Sequence, residues 1–147
     1  MVKLKMILFV GLVTAAAVFA SSRGFSHGEV TPQAVDTTGL DPLGDEWLVE
    51  NPYRVKDGEQ YELAIKIGAS AYNQNCARCH GLEVISGGLT PDLRKLNEGA
   101  VDDEWFISRV RKGFKHNDVY KMPPFEDVLS QEAMWAIRSY VETRPKE

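Results

Sequence analysis

Two cysteines and a histidine stand close together in the middle of the chain, in the run Cys76-Ala77-Arg78-Cys79-His80. This C-x-x-C-H spacing is the pattern of covalent haem attachment. Two thiols three positions apart on a helical turn can form thioethers with the two vinyl groups of one haem. The adjacent imidazole is then held under the ring, where its Nε2 can bind iron. The sequence therefore predicts one covalently bound haem c on Cys76 and Cys79, with His80 as an axial ligand.

Three other kinds of site use closely spaced cysteines: a thioredoxin-like dithiol, a zinc half-site and a simple disulfide. A redox dithiol is expected beside a βαβ pattern, which is not evident here. A structural zinc site usually needs four ligands, and the chain has only two cysteines. Haem attachment is therefore the chemistry that this spacing favours.

An electron carrier is expected to keep a second strong ligand on its iron, and a thioether favours the ferrous state. After residue 26 the chain has two methionines, Met122 and Met134. Met134 lies on the apolar side of a predicted helix and is interpreted as core. Met122 is the predicted ligand, because Pro123 and Pro124 stiffen the backbone that follows it. The alternative is a methionine that only fills a gap in the packing.

A histidine is the alternative to Met122 as the second axial ligand of the iron. His116 would give a bis-histidine haem of lower potential, but it lies in a polar stretch, 115–118, and is interpreted as a solvated loop histidine. His27 would stand at or near the mature N-terminus, and no role is assigned to it.

The residues before the attachment motif are predicted to form a helix. Asp57 and Gln60 have the spacing of a capping box, and apolar residues then recur at helical spacing as far as Tyr72. Glycines and a proline make 81–101 loop-like.

Two further helices are predicted after that loop. One runs from about Asp103 to Lys112, with Asp102 as its cap and Gly113 as its end. The last begins after residue 130 and is closed at a proline, with 114–129 irregular and no convincing strand in the chain. The predicted fold is all-α, with few helices and long loops. So small a domain would have a thin core, which a large apolar cofactor would complete.

The beginning of the chain, 1–26, has the features of a signal peptide. Lys3 and Lys5 form a positive segment, and an apolar run and small residues follow. Cleavage after Ala20 and cleavage after residue 26 are both acceptable. An uncleaved membrane anchor is the alternative, but the apolar run is short for a spanning helix. Export suits haem attachment of this kind, which occurs outside the cytoplasm, and no membrane span is expected after cleavage.

The predicted mature chain has two parts, an arm over 27–56 and a domain over 57–147. The arm is rich in Pro, Gly, Asp and Thr, which favours an extended conformation. Apolar residues within it favour packing on the domain over a loose linker. These residues are Trp47, Leu48, Val49 and Tyr53.

Charge argues against one class of partner. The chain carries 17 basic and 21 acidic side chains. Removal of the signal peptide takes away three basic residues and no acid, so the formal charge changes from -4 to -7. Nucleic-acid binding favours a basic footprint and is not expected.

Two local charge clusters have more than one explanation. The acidic run 102–104 opens a helix, where carboxylates oppose the positive end of the helix dipole; partner docking is the alternative. The basic residues before Met122 could bind haem propionates, bind a partner or form an ordinary solvated face. They are Arg109, Arg111, Lys112, Lys115 and Lys121.

The residues quoted above resemble the class I cytochrome c family over roughly 57–143. The matching run comprises Gly68, Tyr72, Cys76, Cys79 and His80. The resemblance implies that the glycine lets the first helix cross the last one closely. It also implies that the aromatic residue packs on that last helix, near Ile137 and Tyr140. In addition it implies that the carbonyl of Pro91 orients His80 and that Met122 is the distal ligand.

A narrower resemblance covers almost the whole mature chain. The stretches 27–33, 35–40, 51–54 and 67–82 are similar to the cytochrome c-550 type, and the cytochromes of lanthanide-dependent methanol dehydrogenases are related. This resemblance implies a periplasmic carrier that is not an enzyme. Its electron donor would be an alcohol dehydrogenase that uses pyrroloquinoline quinone (PQQ), and its acceptor a terminal oxidase or another cytochrome. A general c-type carrier and a haem subunit of another respiratory complex are the alternatives.

Overall fold

The computed structural model describes residues 31–56 and 58–146, so the predicted signal peptide, His27 and Asp57 lie outside it. In the described residues no helix is long and apolar enough to cross a membrane. Within residues 31–56 and 58–146, four helices and one hairpin follow one another, with short 3₁₀ turns at Leu82–Val84 and Leu93–Lys95. In chain order they are α1 (Glu59–Asn75), α2 (Ala77–His80), α3 (Ala100–Lys112), β1 (Phe114–His116), β2 (Val119–Met122) and α4 (Gln131–Glu142). Apart from the hairpin, these elements agree with the predicted fold of few helices and long loops.

The core is built where α1 crosses α4. Gly68 lies against the backbone of Ala136, and a Cβ atom at Gly68 would be 1.9 Å from the Ala136 carbonyl oxygen. One turn later the rings of Tyr72 and Tyr140, both buried, lie with centroids 5.4 Å apart. The close crossing and the aromatic contact that the family resemblance implies are therefore both present.

The start of α1 differs from the prediction. Gly58 occupies the cap position, and no side chain caps the helix. Gln60 instead binds the backbone of the arm: its Oε1 accepts from the N–H of Asp41 at 2.8 Å, and its Nε2 donates to the carbonyl of Gly39 at 3.1 Å. The capping-box prediction was wrong for Gln60, because the arm provides partners that a local sequence pattern does not show.

The boundaries of α3 and α4 agree in part with the predictions. Ser130 caps α4, its Oγ accepting from the N–H of Ala133 at 3.3 Å, and Gly113 ends α3 with a φ of 69°. However, α3 begins at Ala100, earlier than predicted, and Asp102 accepts from the N–H of Asn97 at 2.6 Å instead of capping the helix.

A β-hairpin occupies part of the segment that was predicted to be irregular. Strands β1 and β2 are antiparallel, with Phe114 paired to Met122 and an irregularity after Phe114. Asn117 and Asp118 form the turn with φ of 50° and 59°. Hairpin turns with two positive φ values favour Asn, Asp and Gly at these positions. The prediction of no strand was wrong, because the strands are very short and their side chains are largely exposed.

The described part of the arm, 31–56, contains no helix or strand and packs on the domain. Leu40, Asn51 and Tyr53 are buried. Trp47 is half-buried, whereas Val49 is 57% exposed and is not an anchor. Side-chain oxygens of the domain accept hydrogen bonds from backbone N–H groups of the arm. The acceptor and donor residues are Asn75 and Gln33, Gln60 and Asp41, Glu132 and Leu43, Gln131 and Leu48, and Asp103 and Asn51.

A buried ion-pair network joins the arm, α3 and α4. Asp103 is fully buried; its Oδ1 accepts from Arg138 Nε at 2.8 Å, and its Oδ2 accepts from the Asn51 N–H at 2.9 Å and from the Arg54 guanidinium. Arg54 also lies 2.8 Å from Glu142. Asp103 is indeed in the first turn of its helix, but its partners are two guanidinium groups and the arm, which the helix-dipole interpretation missed.

The α1–α4 crossing predicts a clash for Gly68→Ala. The added methyl group would meet backbone atoms of Ala136, which cannot move without displacing a helix. We expect the free energy of unfolding to fall by about 1–3 kcal/mol or more, as measured by denaturant titration. Gly87→Ala is the control, because a Cβ there has no atom within 4 Å. Equal stability of the two variants would contradict the close crossing.

The buried network predicts a large cost for Asp103→Ala. The change leaves the buried Arg138 and the arm without their shared acceptor, and breaking a buried ion pair in this way costs about 3–5 kcal/mol. The free energy of unfolding measures this loss. Glu104→Ala is the control, because the neighbouring side chain is exposed and we expect a change within about 0.5 kcal/mol. A stable Asp103→Ala variant would show that the network is dispensable.

Candidate haem site

A cavity of about 540 Å³ lies between the attachment motif, α3, the hairpin and α4, and its walls are mainly apolar. The four residues that the sequence predicted to hold the haem all line it: Cys76, Cys79, His80 and Met122. Apolar side chains complete most of the wall, among them Leu89, Pro91, Leu93, Trp105, Phe106, Val110, Phe114, Pro123, Phe125 and Ile137.

Local backbone geometry brings the two thiols and the imidazole together. Helix α1 ends at Asn75, and the next turn continues from it, with the Cys76 N–H donating to the Tyr72 carbonyl at 2.8 Å. The N–H groups of Cys79 and His80 both donate to the Cys76 carbonyl, at 3.1 and 2.9 Å. Residues three and four positions apart on a helical turn share one face, so all three side chains reach the same cavity.

The backbone after the motif orients the imidazole. Nδ1 of His80 lies 3.3 Å from the carbonyl oxygen of Pro91, which is the contact implied by the family resemblance. A proton on Nδ1 would donate to this carbonyl and leave Nε2 as the free ligand atom. Burial lowers the pKa of His80, and the Pro91 contact opposes that shift. The neutral imidazole that a metal requires is therefore favoured.

The turn that follows His80 has a strained backbone, which sequence reasoning did not anticipate. Glu83 and Val84 both have positive φ, at 54° and 64°, and Val84 is fully buried. Such a conformation is unusual for a β-branched residue. The Tyr72 hydroxyl donates to the Gly81 carbonyl at 2.8 Å, and Arg144 lies 2.5 Å from Glu83. These contacts hold the turn from α1 and from the end of α4.

Met122 reaches the cavity from the last position of β2 and is half-buried. Its backbone is confined on one side by Gly113, where a Cβ would be 2.4 Å from the Met122 carbonyl oxygen. After the two prolines, the N–H of the buried Phe125 donates to the Val110 carbonyl at 3.1 Å. The segment around Met122 is thus fixed to α3 at both ends.

The other candidate ligands lie in different surroundings. Met134 is fully buried in α4, as predicted for a core residue. His116 is exposed, as expected, but it belongs to β1 and lines the cavity, so it is not in a loop.

The basic stretch divides into two groups. Arg109 and Lys121 line the cavity, and the Arg109 guanidinium lies 4.9 Å from the centre of the Phe114 ring. Arg111 points elsewhere: it lies 2.5 Å from Glu126 and 3.9 Å from the centre of the Trp47 ring of the arm. Arg111 therefore has a structural role.

These residues fit a covalently bound haem. The cavity volume lies within the usual range for ligand and cofactor sites, and its walls are apolar. The donor set consists of two thiols, an imidazole and a thioether, which suits covalent attachment of a haem and axial ligation of its iron.

Comparisons with known proteins also indicate a covalently bound haem. The family model described as cytochrome c oxidase, cbb3-type, subunit III matches residues 63–141. Cytochrome c550 of Pseudomonas aeruginosa is 57% identical over 133 residues, which cover 90% of this chain and 91% of that protein. No solved structure matches the chain significantly.

Two longer proteins contain a part that is similar to this chain. The cbb3-type cytochrome c oxidase subunit FixP of Rhizobium meliloti is 30% identical over 65% of this chain and 33% of its own length. Quinohemoprotein alcohol dehydrogenase ADH IIB of Pseudomonas putida is 37% identical over 56% of this chain and 11% of its own length. The cavity agrees with the family match and with the relative that is similar over nearly its whole length. Together they show that the chain belongs to the c-type cytochromes. It is an electron-transfer protein with covalently bound haem c and not an enzyme.

Proposed function

We propose that this cytochrome is an exported one-electron carrier that accepts electrons from a PQQ-dependent alcohol dehydrogenase and passes them to a terminal oxidase or another cytochrome. The observation that supports the donor most directly is the match to a quinohemoprotein alcohol dehydrogenase. A stretch similar to this chain forms a small part of that enzyme, so this kind of haem domain occurs joined to such a dehydrogenase. In the present chain the same kind of domain would meet its donor as a separate protein.

In this proposal Cys76 and Cys79 hold the haem through thioethers, and His80 and Met122 are its axial ligands. Bound haem c supplies a one-electron ferric/ferrous couple. The Pro91 carbonyl fixes the His80 ring, and the hairpin and the two prolines that follow it hold Met122 at the cavity. Apolar walls exclude water, and the protein tunes the couple through ligation, low polarity and the surface it offers to partners.

A haem subunit of a larger respiratory complex is the second candidate. The family model and the similarity to FixP, a cbb3-type oxidase subunit, favour it. Gel filtration of a native periplasmic fraction separates the two proposals. A free carrier elutes at the size of the small protein, whereas a subunit elutes with its complex.

The ligand assignment predicts the effect of Met122→Ala. Loss of the thioether should abolish the weak sulfur-to-iron absorption of the oxidised protein and should let the ferrous form bind carbon monoxide. Met134→Leu is the matched control, because it replaces the buried methionine with a side chain of similar volume and should keep the absorption. If the absorption survives in Met122→Ala, Met122 is not the ligand. If the wild type itself lacks the absorption, a bis-histidine haem is indicated, and His116→Gln is the next variant to measure.

The donor assignment predicts reduction of the purified ferric cytochrome by a PQQ-dependent alcohol dehydrogenase and its alcohol, followed optically. Deletion of the gene should stop growth on that alcohol and leave growth on a sugar intact. Ready reduction by chemical reductants but by no such dehydrogenase would reject this donor. The general role of electron carrier would remain.

A further inference from the structure

Two hydrogen bonds join the attachment motif to the loop that follows it. Nδ1 of His80 lies 3.3 Å from the carbonyl oxygen of Pro91, and the hydroxyl of Thr90 donates to the carbonyl of Cys79 at 2.9 Å. Each contact spans 11 positions, so two neighbouring residues of the motif meet two neighbouring residues of the loop. In each pair, a side chain of one segment binds a backbone carbonyl of the other. The position of Thr90 is therefore coupled to the contact that orients His80.

The carbonyl group of Thr90 is held as well. The hydroxyl of Ser86 donates to this carbonyl at 2.7 Å, and Ser86 Oγ accepts from the N–H of Gly88 at 3.3 Å. A hydroxyl has one proton to donate, and the protons of Ser86 and Thr90 are both directed at carbonyl groups. The two hydroxyl oxygens also lie 3.2 Å apart, but this contact then has no proton of its own. The carbonyl and the hydroxyl of Thr90 thus each have a fixed partner.

Little conformational freedom separates the carbonyl of Thr90 from the carbonyl of Pro91. The peptide bond between the two residues is planar, and the proline ring fixes φ of Pro91. One soft dihedral remains, ψ of Pro91, and the next residue restrains it. Asp92 accepts from the N–H of Arg94 at 3.1 Å and caps the 3₁₀ turn that begins at the buried Leu93. The Pro91 carbonyl is thus held between Thr90 on one side and a capped turn on the other.

The placement of the Pro91 carbonyl has a chemical consequence for the axial histidine. A hydrogen bond from Nδ1 makes the imidazole of His80 a more basic ligand through Nε2. Hydrogen bonding around the ligands is one of the factors that set the reduction potential of a haem. A more basic ligand favours the ferric state and lowers that potential. Any group that fixes the distance between Nδ1 and the Pro91 oxygen therefore also affects the potential.

We propose that Thr90 is a positioning residue for the axial histidine. Its hydroxyl, bound to Cys79, holds the Pro91 carbonyl against His80 and keeps the reduction potential lower than it would be without this bond. The inference rests on the proposed ligation of the iron by His80. Ser86 supports the arrangement from the other side, because it holds the Thr90 carbonyl. Thr90 is half-buried and lines the cavity, so its hydroxyl acts at the wall of the site.

Thr90→Val tests the proposal, because valine keeps the shape of threonine and lacks the hydroxyl. In the haem-loaded protein we expect redox titration to give a higher midpoint potential. The ratio of ferrous to ferric protein at one applied potential should rise about threefold to tenfold. In the ferrous protein we also expect the Nδ1 proton of His80 to exchange with solvent about tenfold faster, as measured by NMR, because its acceptor is less firmly placed.

Two further variants control for the chemical change. Thr90→Ser keeps the hydroxyl and should retain the potential and the exchange rate of the wild type. Thr38→Val makes the same change at an exposed threonine of the arm, whose hydroxyl donates to Asp36 at 2.6 Å. It should leave both measurements unchanged. Intact mass shows first that each variant carries its covalent haem.

The outcomes separate a positioning role from a structural one. If Thr90→Val is less stable but keeps the wild-type potential and exchange rate, Thr90 only supports the loop and the proposal is wrong. A rise in potential that also occurs in Thr90→Ser contradicts it too, because the hydroxyl is then not the cause. If Thr90→Val does not retain haem, Ser86→Ala decides: a smaller rise in potential supports the proposal, and an unchanged potential overturns it.

The ligand assignment is tested separately. If haem-loaded His80→Ala keeps the absorption spectrum of the wild type, His80 is not the ligand, and this inference fails with that assignment. If His80→Ala changes the spectrum and Thr90→Val matches the wild type in both measurements, the positioning role alone is rejected. The proposed ligand and the role of electron carrier then stand.

Discussion

The close crossing of α1 and α4 is the contact on which the other parts depend. At Gly68 a hydrogen atom occupies the place where any side chain would meet the backbone of Ala136. This contact fixes the path of α1, and α1 leads directly into the turn that carries Cys76. The position of the attachment motif relative to α4 thus follows from a backbone contact two turns earlier in the chain.

The cavity walls are held by polar groups as well as by apolar packing. Asp103 and Arg138 join α3 to α4 by a buried ion pair, and the neighbouring Phe106 and Ile137 line the cavity. The arm completes the arrangement, since its backbone binds side chains of α1, α3 and α4. Because a single buried charge joins three segments, separation of the arm would leave groups in α3 and α4 without their partners.

Local sequence was sufficient where the chemistry itself is local. The two cysteines and His80 act within one helical turn, so their spacing was enough to predict the site at which the structure brings them together. Glycine at the end of α3 acts on the adjacent backbone and was predicted, and α4 begins after residue 130 as predicted. The predicted docking of the arm also agrees with the buried Tyr53.

Only the tertiary structure could decide the features whose partners lie far away in sequence. Gln60 has the spacing of a cap yet binds the arm, and Asp103 resembles a helix-dipole residue yet pairs with Arg138, 35 positions later. The hairpin escaped prediction because each strand is stabilised by the other and not by a buried face. By itself the sequence determined the haem chemistry, because the spacing of Cys76, Cys79 and His80 is a local property of the chain. The cavity walls depend on long-range packing, which local spacing does not encode.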